Sequence, residues 1–143
     1  MATQPTILRP EERPAGALAH LFTAIPAWGL LANIGLWIYH KERSRDLVFH
    51  VQQAMVFQAL LLVFWVIPAS VLYLLAKVVG VIVPSLGGFL GSMNQFLMVL
   101  IYTAYVAVCL WGAVQTWLGK EFFYPIIGRR MFEGSLTKTP VEE

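Results

Sequence analysis

The chain has 143 residues, of which 58% are hydrophobic and 13% are charged, and its formal net charge is +2. A soluble domain usually has about 25% charged residues, so this composition offers too little polar side chain to cover a soluble surface. The basic residues are scattered along the chain, which excludes a nucleic-acid-binding patch. The single cysteine, Cys109, excludes an intrachain disulfide and a cysteine-based metal site, and we expect it to pack as a small buried hydrophobe.

Lys, Arg, Asp and Glu are absent from three long stretches, residues 14–40, 47–76 and 78–119. Each stretch exceeds the roughly 20 apolar residues that a helix needs to cross the hydrocarbon of a bilayer. The sequence therefore predicts an all-α membrane protein with three transmembrane helices, four being possible, and an interfacial C-terminal segment.

At the N-terminus, an irregular arm of residues 1–14 contains three prolines, which oppose a continuous helix. It leads into a single transmembrane helical domain of residues 15–132. The first helix is predicted over about 15–39, where Pro26 either kinks it or divides it into a short interfacial helix and a steeper one.

The second predicted helix covers about 47–77, and Pro68 should bend it. Residues 78–94 are apolar but rich in Pro, Gly and Ser. This composition predicts a loop that dips into the membrane interface, with a short additional span as the alternative. The third predicted helix covers about 95–118.

The basic and aromatic segment 119–132 is predicted to lie on the membrane surface, and residues 133–143 are predicted to form a flexible tail. Basic residues near the span ends predict orientation in the cell inner (plasma) membrane. Three spans place seven Lys and Arg on the side of loop 40–46 and the C-terminus, against three on the other side. Four spans again give seven against three, with both termini cytoplasmic and the loop outside. The C-terminus is cytoplasmic in both arrangements.

Polar side chains within the apolar runs should pack helices together, because an unsatisfied amide in hydrocarbon costs several kcal/mol. From their depths we expect Asn33 to contact Gln58 and, in the three-span arrangement, Gln115 to contact Gln52 or Gln53. The complete set of predicted helix-packing polar residues is Asn33, His50, Gln52, Gln53, Gln58 and Gln115.

His50 has two interpretations. It anchors the start of the second helix by hydrogen bonds, or it is functional as a haem or pigment ligand or in a proton relay. No second histidine is expected at matching depth, since His40 lies in the loop and His20 is predicted near the opposite face. This argues against bis-histidine haem ligation, and no metal or cofactor is predicted apart from the haem or pigment alternative at His50. At its own face, His20 is expected to meet Tyr73, Asn94 or Gln95.

Two stretches carry a resemblance to a known group: F-H-x-x-Q-A-x-x-F-Q at Phe49–Gln58 and Y-P-x-I-G-R at Tyr124–Arg129. Together with the flanking sequence over roughly 15–132, they resemble small uncharacterised prokaryotic membrane proteins. That group is similar to the twenty-kilodalton component of the chloroplast inner-envelope protein translocon. The resemblance implies a small helical bundle without catalytic residues. The motif residues are His50, Gln53, Gln58, Tyr124, Pro125, Gly128 and Arg129.

The residues contain no hydrolase constellation, no phosphate-binding loop and no carboxylate in the membrane core, so the sequence predicts that the chain is not an enzyme. We expect a scaffold or accessory subunit of a larger membrane complex, in contact with lipid and with other integral membrane proteins or with itself. The alternative is a channel or transport component related to protein translocation, acting alone or as a homo-oligomer. A pore would require the intramembrane amides to line one continuous face.

Overall fold

The structure is a computed structural model that describes residues 7–125. It divides into two compact units, which we describe separately. The first contains the described residues up to Gln58 and from Val108 onward, and the second is Ala59–Ala107. The helices are α1 (Arg13–Thr23), α2 (Trp28–His40), α3 (Arg45–Leu61), a π-helical turn (Leu62–Val66), α4 (Ile67–Ile82) and α5 (Pro84–Trp117).

The first predicted span is two helices in the structure, divided next to Pro26 as one interpretation of that proline allowed. α1 and α2 pack against each other. Pro26 has no amide hydrogen with which to continue α1, and the φ of Ala27 is +63°, outside the helical region. The helices have 11 and 13 residues, or about 16 and 20 Å at 1.5 Å per residue. Neither is long enough to cross a bilayer alone, so the span predicted over 15–39 is not confirmed.

The second predicted span is present and longer than expected, because α3, the π-helical turn and α4 form one 38-residue apolar helix over Arg45–Ile82. The π-helical turn comes directly before Pro68 and contains Phe64. A proline ring clashes with the carbonyl four residues earlier, which here is that of Phe64. The wider turn accommodates the ring where the sequence predicted a bend.

The loop predicted over 78–94 was wrong. α4 continues to Ile82, and α5 begins at Pro84 after the single non-helical residue Val83. A proline fits the first position of a helix because the amide there has no helical partner. A Cβ on Gly87 would lie only 2.2 Å from the Cα of Gly80, so small residues in this stretch allow two helices to approach closely.

Two helices of the described chain are long and apolar enough to cross a membrane, Arg45–Ile82 and Pro84–Trp117. In their most apolar windows only 11% and 22% of the residues are buried, which leaves most of this apolar surface to contact lipid. The all-helical membrane class is confirmed by these helices, whereas three spans are not.

The core of the first unit contains Leu8, Ala19, Leu47 and Val51. The described part of the predicted irregular arm is therefore packed at Leu8, which is only 2% exposed. The predicted position of the C-terminal segment on the membrane surface stays a prediction. Within residues 120–125 the side chains of Phe122 and Tyr124 are buried. The remainder of the predicted interfacial segment, 126–132, and the tail 133–143 lie outside the described residues.

Candidate functional site

Two histidines meet in the interior of the first unit. His20 comes from α1 and His50 from α3, and neither ring has any exposed surface. Nε2 of His20 lies 3.3 Å from Nδ1 of His50, with the ring planes at 88° to each other. The prediction that no second histidine lies at the level of His50 was therefore wrong. The reason is the break after α1, because a continuous first helix would have carried His20 towards the opposite face.

Tyr124, in the C-terminal segment, is the third side chain of this polar contact and interacts with His20. Its hydroxyl lies 2.9 Å from Nδ1 of His20, and its ring stacks on Phe57 with a centroid distance of 4.1 Å and an interplanar angle of 19°. The Phe122 ring makes T-shaped contacts with both His20 and Tyr124. The aromatic rings surround the polar contact, and Tyr124 retains only 1% exposure.

The side chain of Gln53 binds the backbone of the C-terminal segment. Its Oε1 accepts a hydrogen bond of 2.5 Å from the amide of Tyr124, and its Nε2 donates to the carbonyl of Phe122 at 3.4 Å. His50 and Gln53 are three residues apart on α3 and therefore share a helix face. We call His20, His50, Gln53 and Tyr124 the buried polar cluster. It joins α1, α3 and the C-terminal segment.

The two hydrogen bonds of the rings couple their protonation. Each bond takes one proton and one lone pair. When the Tyr124 hydroxyl donates to Nδ1 of His20, His20 carries its proton on Nε2 and donates it to His50, which then carries its own on Nε2. The pattern needs neutral rings, and in this low-dielectric interior a fully satisfied network stabilises one arrangement of its elements. Chemically, it can fix the segment in place or exchange a proton through a switch of tautomers.

A second polar group lies where α1 ends. Asn33 donates from Nδ2 to the carbonyl of Ala19 and to the hydroxyl of Thr23, both at 3.1 Å. Gln58 donates from Nε2 to the carbonyl of Ile25 at 2.8 Å. The carbonyl of Ala19 also accepts from the Thr23 hydroxyl and that of Ile25 from the Gly29 amide, so these bonds add second donors to carbonyls at the end of α1 and in the turn after it. We call Thr23, Asn33 and Gln58 the turn cluster.

The expected contact between Asn33 and Gln58 is replaced by this arrangement. No direct hydrogen bond joins the two amides in the described part of the chain, and each instead reaches a carbonyl of α1 or of the turn after it. Oδ1 of Asn33 and Oε1 of Gln58 are buried without a hydrogen-bond partner in the structure. The predicted pairing assumed two long antiparallel helices. In the structure α1 folds back on α2, and the carbonyls to which the two amides donate belong to α1 and to the turn after it.

The remaining predicted residues take little part in these clusters. Gln52 and Gln115 are half-buried, and none of the hydrogen bonds in the described residues joins Gln115 to Gln52 or Gln53. Pro125 is exposed. Two predicted motif residues, Gly128 and Arg129, lie outside the described residues.

The partners predicted for His20 were also wrong, because it contacts His50 and Tyr124. Asn94 instead donates to the carbonyl of Ala69. Sequence reasoning did not find His20 as a member of the site. The available signal was the strongly apolar sequence around a histidine in an amphipathic α1, combined with the helix-breaking Pro26.

As candidate ligands, His20 and His50 are the two imidazoles that come together. Within residues 7–125 there is no group of three His, Cys, Asp or Glu side chains placed to hold a metal ion. The haem or pigment alternative at His50 remains a prediction.

Over residues 11–131 the sequence matches the profile of the magnetosome magnetite crystal formation protein family, MamF/MmsF. The chain belongs to this family. The matched range contains both sequence stretches singled out above and all four residues of the buried polar cluster. No curated protein and no solved structure matches the chain.

Family membership corrects the resemblance drawn from the sequence. The chain is a member of the magnetosome family, not of a group related to the chloroplast translocon, and a translocation role is not supported. The stretches at Phe49–Gln58 and Tyr124–Arg129 lie within the range that matches this family, and the sequence analysis assigned them to the wrong one.

Proposed function

We propose that this chain is a small, non-enzymatic integral membrane protein of the magnetosome membrane that acts as an accessory subunit in magnetite crystal formation. The observation that carries the proposal is the family match over residues 11–131. The two long apolar helices support residence in a membrane. Its partners are lipid and other integral membrane proteins or a second copy of the chain.

The positions of the intramembrane amides favour this role over a channel. A pore would need Asn33, Gln53 and Gln58 to line one continuous wet face. All three are fully buried in the first unit, where their amide nitrogens donate to backbone carbonyls. Amides used in this way stabilise the packing of helices and contribute little to a water-filled path.

A two-span topology follows from the same helices and makes the charge distribution more asymmetric. With Arg45–Ile82 and Pro84–Trp117 as the two spans, the N-terminus, loop 40–46 and the C-terminal tail lie on one side. Nine of the ten Lys and Arg then lie on that side, and Lys77 alone lies on the other. Seven against three was the best that three or four spans could give. The positive-inside rule directs the side with nine towards the cytoplasm.

Deletion of the gene in a magnetite-forming bacterium, followed by complementation, tests the function. We expect the deletion to change the size distribution of the crystals in electron micrographs, and wild-type complementation to restore it. A tagged copy should co-fractionate with purified magnetosome membranes. Unchanged crystals in the deletion strain, or a tagged protein absent from that fraction, would contradict the proposal.

Reporter fusions test the topology separately. A fluorescent protein that folds only in the cytoplasm should be bright after Glu143 and dark when inserted at Val83. Brightness at Val83 would overturn the two-span topology without affecting the role in crystal formation.

A further inference from the structure

The second unit contains a groove of about 1010 Å³ between α4 and the first part of α5. Small residues form much of its walls, including Gly80, Gly87 and Gly91. Asn94 joins the two helices by donating to the carbonyl of Ala69 at 3.2 Å. This hydrogen bond holds the two helices together beside the groove. Most of the surrounding surface of the unit is exposed and apolar.

One cationic side chain lines this groove. Lys77 lines it, and its Nζ lies 5.3 Å from the centroid of the Tyr73 ring. Ser92 and Gln95 line the same space and supply further hydrogen-bonding groups. Lys77 lies five residues before the end of α4 at Ile82. At 1.5 Å per residue this is about 7 Å from the helix end, which the proposed two-span topology puts at the membrane surface.

The charge of Lys77 has no counterpart in its own unit. The sequence contains no Asp or Glu from residue 47 to residue 120. Lys77 is thus the only charged residue of Ala59–Ala107, and a cation at this depth needs a negative partner or water. A negatively charged partner has to come from outside this unit.

A second copy of the chain in the same orientation does not provide it. All eight acidic residues precede the first long helix, lie in its first turn, or follow the second long helix. In the proposed two-span topology these residues lie on the side of the membrane opposite the turn at Val83, which Lys77 precedes by six residues. An acidic side chain of a parallel copy is therefore at the opposite membrane surface.

A lipid phosphate meets these requirements. It lies at the depth of Lys77, and it is joined to acyl chains that fit the apolar part of the groove at Leu74, Val81 and Met98. A lipid with net negative charge is favoured over a zwitterionic one, because no acidic residue is present to pair with the second headgroup charge. We propose that this groove binds an anionic phospholipid, with its phosphate on Lys77 and an acyl chain along the glycine-lined wall.

Native mass spectrometry of the purified full chain in mild detergent provides the test. The probes are phosphatidylglycerol and phosphatidylcholine of identical acyl composition. We expect retention of one phosphatidylglycerol, with about fivefold weaker retention of phosphatidylcholine, as one lysine at an anionic membrane surface implies. Lys77→Gln should remove this preference, while Lys41→Gln, which changes an exposed lysine of the first unit, should preserve it.

A second variant tests the groove without changing its charge. A Cβ on Gly91 meets no atom within 4 Å, so Gly91→Leu adds a side chain at an open position of the lined groove. Gly35 is equally open but belongs to the first unit, so Gly35→Leu is the matched control. We expect Gly91→Leu to reduce lipid retention and Gly35→Leu to leave it unchanged.

Three results would overturn the proposal. They are equal retention of the two lipids, unchanged retention in both Lys77→Gln and Gly91→Leu, and full displacement of the lipid by millimolar glycerol phosphate, which would indicate a site for a free phosphate. None of them depends on crystal formation, so this proposal and the proposed function can fail independently.

Discussion

The two units use different means to hold helices together. In the first unit, buried imidazoles, amides and a phenol join α1, α3 and the C-terminal segment through side-chain hydrogen bonds. In the second unit, α4 and α5 pack closely at Gly80 and Gly87, and the Asn94 side chain donates one hydrogen bond between them. The difference follows from helix length. Short helices and irregular segments leave backbone groups that polar side chains have to satisfy, whereas long helices satisfy their own and need only close packing.

The glycine contact in the second unit should be the most sensitive point. A Cβ on Gly87 would lie 2.2 Å from the Cα of Gly80 and 2.5 Å from its nitrogen, and backbone atoms cannot move aside as a side chain can. We expect Gly87→Ala to lower the free energy of unfolding by about 3 kcal/mol, the upper range for overpacking. Thermal unfolding in detergent measures the change.

The control for this substitution is the adjacent residue. A Cβ on Gly88 meets no atom within 4 Å, so Gly88→Ala should leave the melting temperature unchanged or raise it slightly, since alanine favours a helix more than glycine does. Equal effects of the two substitutions would show that the close approach does not determine the packing of this unit.

The first unit should be most sensitive at Gln53. Gln53→Leu keeps the size of the side chain but removes both bonds to the C-terminal segment and leaves the buried amide of Tyr124 unsatisfied. We expect a loss of about 2 kcal/mol. The segment should also detach, so trypsin should cleave after Lys120 faster than in the wild type.

Gln52 is the matched control, because it is the preceding residue, is half-buried and makes none of these bonds. Gln52→Leu should leave the cleavage rate after Lys120 unchanged. Equal acceleration in both variants would contradict a specific role for the Gln53 amide.

The hydrogen bond of Asn94 in the second unit should matter less. Asn94→Leu removes the bond to the carbonyl of Ala69, and hydrogen bonds between membrane helices average about 0.6 kcal/mol. The melting temperature should therefore fall much less than for Gly87→Ala. A loss as large as that for Gln53→Leu would show that polar bonds dominate in both units and would remove the contrast between them.

The sequence was informative wherever one physical rule dominated. The absence of charge from 47–76 predicted a spanning helix, and Pro26 marked a possible division of the first helix. The glycines after Pro84 were misread as a loop, because the same residues permit both turns and close helix packing. Only the position of a second helix distinguishes these cases, and a single sequence does not provide it.

The buried polar cluster illustrates the same limit at the site. His50, Gln53 and Tyr124 were recognised individually as unusual polar or motif residues. Their contact with one another, and with His20, depends on α1 folding back against α2. This tertiary arrangement has no local sequence signal, because the packing partner of a short amphipathic helix is set by the rest of the fold.

The smallest expected effect lies outside both spans, at Glu12 beside the start of α1. Burial acts to raise the pKa of Glu12, but hydrogen bonds from Ser44 and Arg9 and the charge of Arg9 outweigh it and hold the pKa below the ordinary value of 4.5. A lowered pKa means that the folded state favours the carboxylate. Its contribution to stability is therefore present above pH 4.5 and is lost as the pH falls through the lower folded value.

Glu12→Gln should accordingly destabilise the protein at pH 7, by about 0.3–0.5 kcal/mol, and the difference from the wild type should shrink below pH 4.5. Melting temperatures from pH 3 to pH 7 measure it. Glu42→Gln makes the same charge change at a side chain that is 86% exposed, and it should show a smaller effect at pH 7. A difference in melting temperature between Glu12→Gln and the wild type that stays constant over the whole pH range would assign the effect to packing of the side chain. The carboxylate charge would then not contribute to the stability of the first unit.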